Sequence, residues 1–249
     1  MGQLRIGCSG WVYKDWTGPF YPPEVKDRAR LEYYATRFDT AEINASFYRL
    51  PSEKMVQGWA ERTPADFLFA WKVSRFITHN KKLNDCRDPV ALVFGRMAPL
   101  GRKLGPALVQ LPPMLHRNDE RLAGFLKLLP PGRVTVEFRH PSWYDPAVFR
   151  ILSDFDAALC ISDHHHAPAP WELTASWAYV RGHGPGGRYF GRYGEAELAA
   201  WAERIAAWRS RGLDVHAYFD NDVKSAAPLD ALDLKARLLG RQPAAAATG

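Results

Sequence analysis

The chain has 249 residues, 47% hydrophobic and 24% charged, the make-up of a globular protein long enough to bury one large core. Its 33 basic residues against 27 acidic ones leave a net charge of +6, a mild excess that favours anionic partners and admits nucleic acid without demanding it. No window approaches the length of a membrane span, and the three cysteines, Cys8, Cys86 and Cys160, stand too far apart for a disulfide framework or a metal-cluster motif.

In chain order, short apolar runs alternate with helical patterns, the signature of parallel strands joined by crossover helices. RIGCSG opens the chain as the first strand, with no charged and apolar leader before it, so the expected location is the cytoplasm and no membrane contact is expected. After a Pro- and Gly-containing loop, Leu31, Tyr34, Ala35 and Phe38 recur at helical spacing in DRARLEYYATRF. TAEINASF follows as the second strand, and Ser52 is placed to cap the helix SEKMVQGWAERT. FLFAWKVS, a long helical region from Asp88 to about Leu104, PALVQL and the helix DERLAGFLKLL complete the first half.

The second half repeats the pattern with VTVEFR, PAVFRILSDF, ALCISD, WAYVRGH, EAELAAWAERIAAWRSRG, DVHAYFD and PLDALDLKARLL. Between Asp163 and Trp177 the chain is too rich in Pro, His and Ala for a good helix, so this sixth crossover is expected to be irregular. Eight strands without a Gly-rich dinucleotide fingerprint predict a TIM-type (β/α)8 barrel over residues 1–240, with an open doubly wound sheet as the alternative. The remainder, RQPAAAATG over 241–249, reads as a flexible tail.

In such a barrel the chemistry sits at the C-terminal strand ends. Alternation along a strand puts Glu42 with Asn44, Lys72 with Ser74, Glu137 with Arg139, and Tyr179 with Arg181 and His183 on shared faces. Gln110 precedes a Pro-Pro turn, Asp163 closes the sixth strand, and Asp220, Asn221 and Asp222 close the eighth. Buried charges must pair with one another or bind water or a ligand, so these groups make either a site or a structural salt-bridge plug.

The strings IGCSGWVYKDWTGPFYP, LEYYATRFDTAEINASFYRLPS, FLFAWKVSRFITH, LGPALVQLPP, VEFRHPSW, TASWAYVRGHG and AYFDND resemble the signature blocks of the YecE-like proteins, the domain of unknown function 72 family. The resemblance runs from Arg5 to about Leu239 and implies a TIM-type barrel without implying a reaction. By matching position it adds Trp11, Tyr48, Arg75, His79, His140 and Trp143 to the strand-end set. Two departures stand out: many relatives resemble FNND where this chain has FDND, and a Gly common shortly afterwards is Ser225 here.

The expected chemistry is that of an enzyme acting on a small anionic polar substrate, a sugar derivative or phosphorylated metabolite. Glu42 and Glu137 are the acid and base candidates. Lys72 with Arg75, Arg139 and Arg181 would hold negative charge, and His79 and His140 are placed for proton transfer. Trp11, Tyr13, Trp16, Phe20 and Tyr21 form either a stacking surface or a self-packed loop. The run SDHHHAPAPW invites a metal, but adjacent histidines rarely face one centre, so neither metal nor cofactor is expected. A nucleic-acid-binding or nucleic-acid-processing protein is the alternative function, and no sequence feature sets the oligomeric state.

Overall fold

The computed structural model describes residues 1–240; the tail expected over 241–249 lies outside the described residues. In chain order the elements are β1 (Leu4–Cys8), α1 (Arg30–Arg37), β2 (Thr40–Ile43), α2 (Ala45–Tyr48), α3 (Glu53–Glu61), β3 (Leu68–Lys72), α4 (Arg87–Met97) and β4 (Leu104–Gln110). They continue as α5 (Asp119–Leu126), β5 (Val134–Glu137), α6 (Pro146–Asp154), β6 (Ala158–Ser162), β7 (Trp177–Gly182), α7 (Glu195–Ser210), β8 (Asp214–Phe219) and α8 (Ala226–Leu238). The strands are parallel and ordered β1-β8-β7-β6-β5-β4-β3-β2, and the fold is a TIM-type (β/α)8 barrel. As the Pro- and His-rich composition implies, no helix joins β6 to β7; Thr174 pins that crossover, accepting from Leu159 N at 2.7 Å and donating to Ala157 O at 2.8 Å.

Local sequence sets the boundaries. Ser52 caps α3 by accepting from Met55 N at 3.2 Å, and Asp145 caps α6, where Pro146 supplies a first helical residue with no amide to satisfy. Two expectations are corrected. The strand read as TAEINASF stops at Ile43, because the next residues turn into α2. The long helix expected to about Leu104 ends at Met97 and passes into 3-10 turns broken at Gly101, whose φ of 55° lies in the left-handed region.

Closure between β1 and β2 differs from the rest of the barrel. The two strands meet at their C-terminal ends, where Ser9 bridges Glu42 and Gly10 N donates to Glu42 O at 2.8 Å. Below that point the Tyr34 hydroxyl of α1 enters the seam, accepting from Cys8 N at 2.8 Å and donating to Thr40 O at 3.0 Å. Gly7 leaves room for it: a Cβ there would stand 2.3 Å from Thr40 O and 2.7 Å from the tyrosine oxygen. A side chain thus completes backbone hydrogen bonds that a wider strand gap would leave unmet.

Inward-facing residues stack in layers. Trp177, Tyr179, Tyr218, Ala70, Leu108 and Cys160 fill the lower and middle lumen with apolar and aromatic groups. The outer faces of the strands pack against the helices in a separate, larger core. At the C-terminal end of the lumen the layer becomes ionic, with Ser9, Glu42, Lys72, Glu137, Arg181 and Asp220 all buried.

Candidate functional site at the barrel mouth

Arg181 is the hub of the ionic layer. Fully buried, it meets Glu42 twice, Nη2 to Oε1 at 2.8 Å and Nε to Oε2 at 3.1 Å, while Nη1 reaches Glu137 at 2.9 Å and Nη2 reaches Asp220 at 2.8 Å. Strand periodicity explains the convergence: these residues lie near the ends of β2, β5, β7 and β8, and each points inward. Glu42 also accepts from the Ser9 and Tyr179 hydroxyls, so both its oxygens are engaged. Burial pushes the Glu137 carboxyl up, but Arg139, Arg181 and Lys72 together hold it at about 2.

A second tier lies above this plug. Arg139, two residues beyond Glu137, turns back to it and also donates to the Tyr189 hydroxyl at 3.1 Å, leaving its buried Nε without a partner. His183 Nε2 stands 3.0 Å from Arg181 Nη1 and 3.3 Å from Arg139 Nη2. Guanidinium groups can only donate, so Nε2 accepts and the proton sits on Nδ1, 3.1 Å from Asp163 Oδ1. Burial, with Arg181 and Arg139, drives the His183 pKa well down, and the ring is neutral. Burial raises Asp163 to about 6, although Tyr193 and the His183 amide donate to it.

Lys72 differs from every other cation in this layer. Its ammonium makes neither an ion pair nor a hydrogen bond among the described residues and lies over the Phe47 ring, 4.2 Å from Nζ to centroid. Burial pushes its pKa down, Arg181 adds to the effect, and against the pull of Glu137, Asp220 and Glu42 it falls to about 8. Phe47 also packs edge-on against His79, 5.0 Å away. His79 rides on a π-helical turn over residues 76–80 and is lowered to about 4 by burial and by Lys72, Arg75 and Arg139. Arg75 is exposed and forms no ion pair among the described residues.

Glu42, Lys72, Glu137, Arg139, Arg181, Asp163 and His183 therefore converge, with His79 and Arg75 at the rim. The other expected residues lie elsewhere. Asn44 does not share the lumen with Glu42, because the strand has ended; it lines a side cavity of about 410 Å³ with Trp11 and Trp59. Trp143 is buried, stacked on Phe138 and bonded to Leu115 O, and Gln110 donates to Leu111 O. Tyr48 points to solvent, and His140 stacks on His116 while bonding Ser142. Asn221 turns to Gly191 and Asp230, and Asp222 packs under the first loop, where Trp16 donates to its carbonyl. Trp16, Phe20 and Tyr21 of that loop pack on one another and on α1.

Ser9, Tyr189 and His164 complete the site beyond the residues singled out from sequence, and Asp220, read only as closing the eighth strand, joins it through Arg181. Ser9 and Asp220 follow from strand alternation, since they continue the inward faces of β1 and β8. Tyr189 carried no signal: it is brought over Arg139 by a Gly-rich loop in which its own φ is 70°. His164 turns inward against His183 and Tyr189, held neutral at about 3 by burial and Arg139, while His166 faces solvent. Among the described residues no group of three or more His, Cys, Asp or Glu is arranged to hold a metal ion, and no helix is long and apolar enough to cross a membrane.

Residues 5–248 match the sequence profile of a family described as "Protein of unknown function DUF72". The chain is 37% identical over 145 residues to UPF0759 protein YecE of Escherichia coli K12, a match covering 57% of this chain, and it spans half the length of that relative. It is 27% identical over 255 residues to UPF0759 protein YunF of Bacillus subtilis 168, covering 88% of this chain and 89% of the relative. Among solved structures, a DUF72 family protein from Thermotoga maritima superposes with a TM-score of 0.87 at 26% identity, over 95% of this chain and 99% of that one. A second, from Enterococcus faecalis, gives 0.82 at 22% identity over 95% and 96% of the two chains, a likeness of fold.

Proposed function

Since the chain belongs to the DUF72 family, whose description carries no activity, its function has to come from the chemistry of the barrel mouth, and we propose that this mouth is the active site of an enzyme for a small anionic polar substrate, such as a sugar derivative or phosphorylated metabolite. The observation that supports this most is Lys72, a largely buried side chain whose ammonium touches no protein counter-charge. Holding that cation largely out of water without a contacting carboxylate costs stability; the exposed Arg75 lies at the rim, and Arg139, buried behind it, keeps an unpartnered Nε. A phosphate or carboxylate entering the mouth would meet this cluster of cations.

The roles divide by geometry. Glu42, Glu137 and Asp220 are committed to Arg181 and frame the site. This revises the expected carboxylate acid and base pair, because Glu137, held at about 2, carries no proton at neutral pH. Proton transfer falls instead to groups that titrate near neutrality, Lys72 at about 8 and Asp163 at about 6.

Thermal shift with inorganic phosphate and with panels of phosphorylated and carboxylated metabolites tests the reading, since a ligand of the native state raises its stability. Anions should stabilise the wild type. Arg139→Ala and Arg75→Ala should each weaken binding by about 1.5–3 kcal/mol per lost charged hydrogen bond. Indifference of the wild type to every anion refutes the proposal and leaves a purely structural plug.

A further inference from the structure

We infer that Lys72 is a covalent site: its ε-amine condenses with the carbonyl group of a small aldehyde or ketone bearing a phosphate or carboxylate, whose anionic end is held by Arg75 and Arg139. The inference rests on the anion-site reading above and adds the chemical class of the substrate.

The chain itself supplies the contrast that isolates Lys72. Lys103, also partly buried, is a structural lysine: its ammonium donates to Ala60 O, Thr63 O at 2.7 Å and Thr63 Oγ1 at 3.2 Å, and so satisfies its protons within the protein. Lys72 satisfies none of its own in this way, yet it is more deeply buried and its backbone is fixed. It is the last residue of β3, paired in register with Leu108, and its carbonyl accepts from Ser46 Oγ at 2.7 Å. The strand end thus presents a rigidly based amine to the mouth, over the apolar face of Phe47.

A nucleophilic amine must be unprotonated for part of the time, and desolvation beside another cation is a general way to achieve this. Burial and Arg181 impose that condition on Lys72. At pH 7.5 a lysine titrating near 8 has on the order of a hundredfold more free amine than an ordinary exposed one.

The step balances without a further reactant. The nitrogen lone pair attacks the carbonyl carbon, the C–N bond forms as the carbonyl π bond opens, and the resulting carbinolamine loses water to give a protonated imine. Counted from the ammonium form, two protons leave nitrogen and depart with the carbonyl oxygen as that water. The product keeps the positive charge, within the field of Glu137, Asp220 and Glu42, each of which draws positive charge to this position. His79, held neutral beside Lys72, is available to relay protons during the exchange.

The test treats wild-type protein with pyruvate in one arm and glycolaldehyde phosphate in the other, reduces with borohydride, and maps the adduct by peptide mass spectrometry. Parallel samples contain excess inorganic phosphate. A reduced adduct on Lys72, formed faster than on the exposed lysines and suppressed by phosphate, is the expected result, and the arm that labels identifies carboxylate or phosphate as the anchor. Labelling confined to exposed lysines, while phosphate still raises the melting temperature, overturns the imine and spares the anion site. Absence of both Lys72 labelling and phosphate stabilisation overturns the two together. Because the adduct is located in the unmutated chain, no outcome depends on the folding of a variant.

Discussion

Arg181 and Glu42 face each other across the barrel lumen in a two-point ion pair, Nη2 to Oε1 at 2.8 Å and Nε to Oε2 at 3.1 Å, with both side chains fully buried. A planar guanidinium suits this role because it offers several fixed donors and stays charged at any physiological pH. The same group serves Glu137 and Asp220, so one residue of β7 ties together the ends of β2, β5 and β8.

Removing that hub should therefore cost more than any single contact in it. Arg181→Met leaves buried carboxylates without their shared counter-charge, and breaking such a pair from one side typically destabilises by about 3–5 kcal/mol. Urea unfolding should show a loss of at least that order, and the variant is expected to express poorly. A variant as stable as wild type would mean that water or Lys72 replaces the guanidinium.

The seam between β1 and β2 gives a second, independent prediction. Tyr34→Phe removes the hydroxyl that accepts from Cys8 N and donates to Thr40 O, leaving both backbone groups buried and unmet. Each such orphan costs about 1–3 kcal/mol, so with two of them denaturant unfolding should register a loss of about 2–6 kcal/mol. Amide exchange of Cys8 should accelerate more than that of strand residues on the opposite side of the barrel, such as Val136.

How much of this was legible in the sequence depends on how local the cause is. The strands were readable because each is a short apolar run, and alternation alone placed Glu42, Glu137 and Arg181 on inward faces. Asn44 was misplaced because the strand ends at Ile43 and α2 begins at once, a boundary set by packing of Ser46 against Lys72 O, and Tyr48, added by the family resemblance, ends that helix facing solvent. Gln110 sits at a strand end and Trp143 came from the family resemblance, but both spend their polar atoms on nearby carbonyls. The distinction between paired arginines and the unpaired Lys72 is invisible in one dimension, since it depends on which side chains from separate strands reach one another.

A buried histidine far from the mouth predicts the acid limb of the stability profile. His216 lies in the lower lumen between Trp177 and Tyr179, its Nε2 3.2 Å from Arg133 Nη1, and burial followed by Arg133 lowers it to about 3. Between pH 6.5 and about 3 the unfolded chain binds a proton here that the folded chain refuses, so stability falls with pH by up to about 1.4 kcal/mol per unit. Arg133 also pairs with Asp214 at 2.6 Å, a contact to which the ring contributes no atom. His216→Phe should accordingly reduce the slope of unfolding free energy against pH in that window; an unchanged slope would show that the ring already titrates normally.

Lys72 makes the opposite prediction on the alkaline side. Its pKa is lowered from 10.5 to about 8, burial being the chief cause, so the folded protein gives up this proton before the unfolded chain does. Below pH 8 both states are protonated and the folded state bears the full cost of the buried ammonium, at most about 3 kcal/mol for a shift of this size. Lys72→Met should remove that cost and be as stable as wild type or more so at pH 7, the reverse of Arg181→Met. As pH rises from about 8 to 10.5, the unfolded state of the wild type retains a proton that its folded state has lost, and the wild type gains stability. The difference between the two proteins should then shrink across this window, with ionising tyrosines and cysteines cancelling because both share them. Added phosphate should narrow the gap at pH 7 as well, by binding the wild-type ammonium and not the methionine. A Lys72→Met variant that is markedly less stable than wild type at pH 7, with a gap that does not close on raising the pH, would mean that the ammonium is satisfied within the protein, and would remove the ground for both the anion site and the imine.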